Sequence, residues 1–213
     1  MIPDRFVTEY PARCLELLDV MQPIAAEKDL LGSFALLTAA SILNIPLERL
    51  AKQHPLKAEH GSDIYQSLRR VEKQRWKDAE FWQGGDCPSW HFSRIITDPN
   101  EVSQWRDETG LPSMSTEANT IEGRRTSDVL RVLRNALAHG NIVYLNENGH
   151  ETAGTRLHYI GFLSRYEETL EQRKAAETYR LVAVTEADFL VFIRCWAAWL
   201  TGFSGDTDLV DAA

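Results

Sequence analysis

No apolar run in this 213-residue chain reaches the ~18 residues that a membrane-spanning helix needs. A helical membrane protein is therefore excluded, and no membrane partner is expected. Cysteine is scarce: Cys14, Cys87 and Cys195 are odd in number and far apart. Such a set builds no disulfide framework and suits reduced thiols in a cytoplasm. The opening MIPDRFVTEYPARCLELL lacks the basic head, apolar stretch and small-residue cleavage site of a secretory leader, so a cytoplasmic location is expected. Internal repeats and low-complexity segments are missing too. Positive charge is in deficit, with 23 Lys+Arg against 31 Asp+Glu and a net charge of −8. A phosphate backbone attracts a positive surface, so any nucleic-acid role needs a local basic patch. Two stretches offer one: Arg124, Arg125, Arg131 and Arg134, and Arg69, Arg70, Lys73, Arg75 and Lys77. The second reads better as a solvated helix face.

What is present is ordinary globular material, 44% hydrophobic and 25% charged, in a chain long enough for one large domain. Tyr10, Cys14, Leu17, Leu18 and Met21 recur at helical spacing within residues 5–22, and Pro23 is expected to end that helix. The segment EKDLLGSFALLTAASILN is apolar almost all round, the mark of a helix buried on most sides. Asn44-Ile45-Pro46 is expected to break it, since a residue before proline is pushed out of the helical region. A short helical piece, LERLAKQH, follows. His60-Gly61-Ser62-Asp63 reads as a loop feeding a helix whose face is Ile64, Leu68, Val71, Arg75 and Ala79, running to about Phe81 and stopped by Gly84-Gly85. Residues 84–125 are the least legible, with short helices expected around 89–97 and 100–108.

A helix over 126–139 starts from Thr126 or Ser127, with Asp128 in its first turn and Gly140 just past its end. Beyond it Asn141–Leu145, about Arg156–Leu163, and Tyr179–Val184 are rich in strand formers. Asn148-Gly149 supplies a turn between the first two, so a small antiparallel sheet or long hairpin is expected over about 141–184. The charged run RYEETLEQRKAAET reads as a solvated excursion. The last helix, about 186–201, begins from Thr185 with Asp188 as its capping partner, and Phe189, Phe192, Ile193, Trp196, Trp199 and Leu200 form a core stripe. Residues 204–213 are an acidic tail.

The helix over 126–139 carries the chemistry. On a wheel of about 100° per residue, Val132, Ala136, Val129, Leu133, Leu137 and Leu130 fill one arc of about 160°. Arg134, Ala138, Arg131, Asn135 and His139 fill the opposite arc. Asn135 and His139, four apart, share one stripe. Arg134 lies about 140° from His139, within the sweep of a long side chain. A histidine in the last turn before glycine also suits the helix dipole with no function attached, and arginines on a solvent face need none.

LRNALAHGN resembles the signature of the HEPN superfamily: an arginine, four to six residues, then a histidine, with a polar residue directly after the arginine. Arg134, four intervening residues and His139 match it, and Asn135 is the polar residue. The buried LLTAASILNIPLERL is similar to the family as well, so the resemblance rests on about residues 30–50 and 126–145. It implies a mainly α fold, a four- to five-helix bundle with a small antiparallel hairpin or sheet before the last helix, as a single domain over 1–203. It also implies a homodimer through the motif-helix face. In active members the 2′-hydroxyl of RNA attacks the adjacent phosphate without a metal. Carried over, His139 is the general acid or base, Arg134 holds the scissile phosphate and Asn135 orients the phosphate or the imidazole, while Arg131, Arg124 and Arg125 are expected RNA contacts.

Histidine titrates near neutrality, and a guanidinium can grip equatorial phosphate oxygens in paired hydrogen bonds, so the assignment is chemically coherent. No cofactor is implied. Cys87 and His91 sit four apart without a second pair to complete a metal site, so no metal is expected. One histidine per chain is too few for separate acid and base roles, which again calls for two chains. Toxins of this group that pair with a nucleotidyltransferase antitoxin commonly carry tyrosine two residues after the histidine. Asn141 stands there instead, with Tyr144 out of place. The expected function is a metal-independent endoribonuclease, a toxin or defence effector with an antitoxin or regulatory protein as partner. The alternative is a catalytically inactive module that binds RNA, a nucleotide or a protein. A metal or thiol enzyme ranks third.

Overall fold

The computed structural model describes residues 6–51, 62–83, 87, 90–98, 100–107, 109–114, 121–152, 157–165 and 178–204. The expected loop at His60-Gly61, the Gly84-Gly85 stop, the excursion over 166–177 and the acidic tail beyond Ser204 lie outside them. Five α-helices and four strands occur among the described residues. Contacts divide the chain into two compact units. The first takes residues 1–74, 78–86 and 190–213, and the second residues 75–77 and 87–189.

The first unit is helical. Helix α1 (Phe6–Glu27) packs on α2 (Leu31–Ala51), with α3 (Ser62–Lys73) and most of α5 (Glu186–Thr201) in the same unit. Both prolines expected to stop helices sit inside them. At Pro23 the carbonyl left without a helical donor belongs to Asp19, which is exposed to water. Pro46 leaves the carbonyl of Ile42 in the same position, but Ile42 is buried. The Trp196 indole N–H donates to that carbonyl at 3.3 Å, replacing the lost bond, and α2 runs on to Ala51. Around it Phe81 meets both Phe192 and Trp196 edge to face, with ring centroids 5.6 and 5.5 Å away. The stripe read as core, Phe189 to Leu200, is buried throughout.

Helix α3 stops at Lys73 rather than near Phe81. Two 3-10 turns, Trp76–Asp78 and Glu80–Trp82, follow it. Gln74 folds back to make the break: its Oε1 accepts the Glu80 backbone N–H at 3.0 Å, and its Nε2 donates to Glu80 Oε1 at 2.9 Å.

The second unit is an antiparallel sheet under one helix. Strands β1 (His91–Ile95), β2 (Ile142–Leu145), β3 (Tyr159–Arg165) and β4 (Tyr179–Thr185) lie in the order β1-β4-β3-β2. Three strands were legible, and the sheet is larger than the expected hairpin. The helix expected over 89–97 is β1, whose partner is β4, with Phe92 opposite Val182 and Arg94 opposite Arg180. Among the described residues of the helix expected over 100–108, the helical piece is a 3-10 turn, Val102–Gln104. Helix α4 (Thr126–His139) packs mainly on β3 and also on β4. On the other face, Trp105 joins Ile95, Leu145, Leu181 and Ala183 in a buried cluster. Gly161 lies on that face with no room to spare: a Cβ there would come within 2.8 Å of Val143 Cγ1 and 3.3 Å of both Leu145 and Leu181. Gly161→Ala is therefore expected to cost about 1–3 kcal/mol by overpacking, measurable by urea denaturation.

Candidate functional site

The apolar arc of α4 seats the helix. Val129, Leu130, Val132, Leu133 and Ala136 are all buried, as the wheel requires. The helix begins after Arg125, whose extended backbone caps it without a side-chain bond, and Thr126 is buried rather than capping. Gly140 ends it in the left-handed conformation at φ 70°, and its N–H donates to the Ala136 carbonyl. The approach to α4 is tied to the 3-10 turn that precedes β1 by a backbone bond, Trp76 N–H to the Arg124 carbonyl at 2.8 Å.

The polar arc divides in two. Arg131, Ala138 and His139 are exposed, whereas Arg134 and Asn135 are half-buried and turn toward the sheet. Asn135 Nδ2 donates to Ser164 Oγ on β3 at 3.1 Å. The Asn135 Oδ1, held on the other side of the same amide, accepts from Arg134 Nη2 at 3.4 Å. One strand over, Asp128 in the first turn stands 3.6 Å from Arg131 Nη2 and 3.6 Å from Arg180 Nη1. Arg180 is buried on β4. It lies opposite Ser164 on one side and Arg94 on the other, so a single row of the sheet reads Arg94, Arg180, Ser164. Two polar relays rise from this row to α4: Ser164 to Asn135 to Arg134, and Arg180 to Asp128 to Arg131.

The structure thus gathers Arg134, Asn135 and Arg131 over one row of the sheet and leaves His139 open at the helix end. Arg124 and Arg125 are not part of that group. They precede the opposite end of α4, about 20 Å from His139 along the axis at 1.5 Å per residue. Both are exposed, and the Arg124 guanidinium stacks on Phe92 at 4.8 Å. Sequence reading missed Ser164, Arg94 and Arg180. The signal for Arg180 was an arginine inside the strand YRLVAVT, since a charge in a buried strand needs a partner.

The thiols are poor nucleophiles. Burial pushes Cys87 up to about 12, and the negative charges of Glu122 and Asp188 add to the effect. Burial raises Cys14 and Cys195 as well. A thiolate is what attacks or binds a metal, so a thiol enzyme finds no support in these groups.

A family model described as HEPN pEK499 p136 matches residues 2–204. Neither a curated protein nor a solved structure matches the chain.

Two outcomes follow from the geometry. Ser164→Ala removes the acceptor of a half-buried amide and is expected to cost about 1 kcal/mol in urea denaturation. For Cys87, a rise from 9.0 to about 12 leaves ~1,000-fold less thiolate, so iodoacetamide labelling at mildly alkaline pH should be far slower in the folded than in the unfolded protein. The folded value lies above the unfolded one, so this group's stabilisation is full below about pH 9 and is lost as pH rises toward 12. Cys87→Ala should flatten that alkaline loss.

Proposed function

The chain belongs to the HEPN pEK499 p136 family, and on that premise we propose that it is a metal-independent endoribonuclease acting through the Arg134–His139 segment of α4. The observation that carries this reading is the division of the polar arc. Arg134 is steadied by Asn135, which Ser164 holds in turn, while His139 is open to a ligand on the same helix. A fixed cation and an accessible proton carrier are what transesterification of RNA asks for. The 2′-hydroxyl loses its proton to a base and its oxygen attacks the adjacent phosphorus. The 5′-oxygen of the next nucleotide leaves with a proton from an acid, and a 2′,3′-cyclic phosphate remains. His139 is the proton carrier. Arg134 holds the phosphate oxygens as charge builds on them, and Asn135 positions Arg134. Separate acid and base need two imidazoles, so we place a second copy against the α4 face as a homodimer. Arg124 and Arg125 would meet RNA further along the strand. A toxin or defence effector, restrained by an antitoxin or regulatory protein, is the biological setting proposed for this activity.

A second reading keeps the same face as an RNA- or nucleotide-binding surface without turnover. The net charge of −8 weighs against contact with many RNAs, so it favours the nucleotide- or protein-binding form of this reading.

Single-stranded RNA incubated with the protein in EDTA is expected to be cut to cyclic-phosphate ends. His139→Ala and Arg134→Ala should each lower the rate by roughly 100-fold or more. Equal cutting by wild type and His139→Ala would remove His139 from the mechanism. RNA binding by wild type with no cleavage would establish the second reading.

A further inference from the structure

Folding redistributes the two basic stretches of the sequence. Arg69 and Arg70 on α3 are matched by carboxylates of their own unit, Arg69 by Glu72 at 3.1 Å and Arg70 by Glu80. Arg75 and Lys77 belong to the second unit instead. There Arg75 lies directly opposite Arg125 in an isolated antiparallel bridge. The Trp76 N–H donates to the Arg124 carbonyl at 2.8 Å. Trp76, between the two cations, is buried against Trp90, with ring centroids 5.0 Å apart. Arg75, Lys77, Arg124 and Arg125 are all exposed. Parts of two stretches far apart in sequence thus become one cationic patch.

Among the described residues, no carboxylate forms an ion pair with any of these four. The carboxylates nearest in the chain are Asp78, Glu122 and Asp128. Asp128 stands between Arg131 and Arg180. Glu122 lies near enough to Cys87 to help raise its thiol. Asp78 is exposed and follows Lys77 directly. With Asp78 and Glu122 both counted against it, the patch stays positive. Like charges directly opposite across a strand pair repel, so setting Arg75 against Arg125 costs stability that a bound anion would restore. Arg124 is steadied by its stack on Phe92 at 4.8 Å, so its guanidinium is held before any ligand arrives. Guanidiniums grip phosphate oxygens in paired hydrogen bonds.

We propose that Arg75, Lys77, Arg124 and Arg125 form a second phosphate site, which holds the backbone of a single RNA strand away from the reacting bond. The inference rests on the RNA reading of α4 for its ligand but not on catalysis. The patch and His139 lie at opposite ends of α4, about 20 Å apart along its axis. A stacked strand advances about 3.4 Å per phosphate, so that span is roughly six nucleotides. Short fragments reach one end or the other, and longer strands engage both, which raises their affinity through effective concentration. The patch supplies locally the attraction that a net charge of −8 denies the surface as a whole.

Fluorescence anisotropy tests this with a labelled single strand of about 12 nucleotides, long enough for both ends, whose 2′-O-methyl groups prevent cutting. Each phosphate contact on a single strand adds about 0.7 to the slope of log K against log salt. Arg75→Ala with Lys77→Ala should therefore lower the slope by about 1.4 and weaken binding about 25-fold at about 0.1 M salt. Both side chains are exposed and Arg75→Ala relieves repulsion, so the urea midpoint should not fall. Arg69→Ala with Arg70→Ala should keep the wild-type slope, because those cations are already paired. An unchanged slope in the Arg75, Lys77 variant overturns the proposal. An equal drop in the Arg69, Arg70 variant also does, since attraction would then be diffuse. So does failure of the wild type to bind the strand at about 50 mM salt. If the Arg75, Lys77 variant loses binding while the wild type leaves unmodified RNA uncut, the phosphate site stands and the nuclease reading alone falls.

Discussion

The seating of the apolar arc of α4 on β3 and β4 governs what the rest of that helix can present. Val129, Val132, Leu133 and Ala136 are fully enclosed, so the helix has no freedom to roll. With the roll set, Asn135 has to meet Ser164, and Asp128 has to meet Arg180. A roll of the helix would part both contacts. The polar arc is therefore not a loose solvent face but a surface whose inner half is tied to the sheet through Asn135 and whose outer half, Arg131 and His139, is exposed.

The row Arg94, Arg180, Ser164 supplies that bonding at some electrostatic cost. Two arginines directly opposite each other across β1 and β4 repel. The carboxylate of Asp128, placed by the first turn of α4, faces the buried member of the pair. That same carboxylate stands beside Arg131 on the surface. The first turn of the helix thus links the charge balance of the sheet to the exposed cations. The arrangement concentrates positive charge locally on a chain whose net charge is −8, which is the condition a phosphate ligand imposes.

Much of this was readable beforehand where the cause was local. The wheel placed Arg131, Arg134, Asn135 and His139 opposite the buried arc, and Gly140 marked the stop. Thr185 and Asp188 do cap the last helix: the Asp188 N–H donates to Thr185 Oγ1 at 3.1 Å, and the Thr185 hydroxyl donates to Asp188 Oδ2 at 2.8 Å. Three of the four strands announced themselves by composition. Failures cluster where a remote partner overrides a local preference. Pro46 is a breaker by every local rule, and Trp196, 150 positions later, supplies the donor that lets the helix continue. HFSRI was read within a helix because β4, the strand that completes it, comes after the motif helix.

By itself, then, the amino-acid order determined most of the periodic elements, the Gly140 stop, the Thr185–Asp188 cap and the side of α4 that carries chemistry, because those depend on residues within a turn or two of each other. Tertiary structure decided the depth of Asn135, the placement of Arg180 and Ser164 beneath it, and the persistence of α2 through its proline. Each of those rests on a hydrogen bond or ion pair between residues tens of positions apart, and no local pattern encodes which distant strand or helix will come to lie alongside.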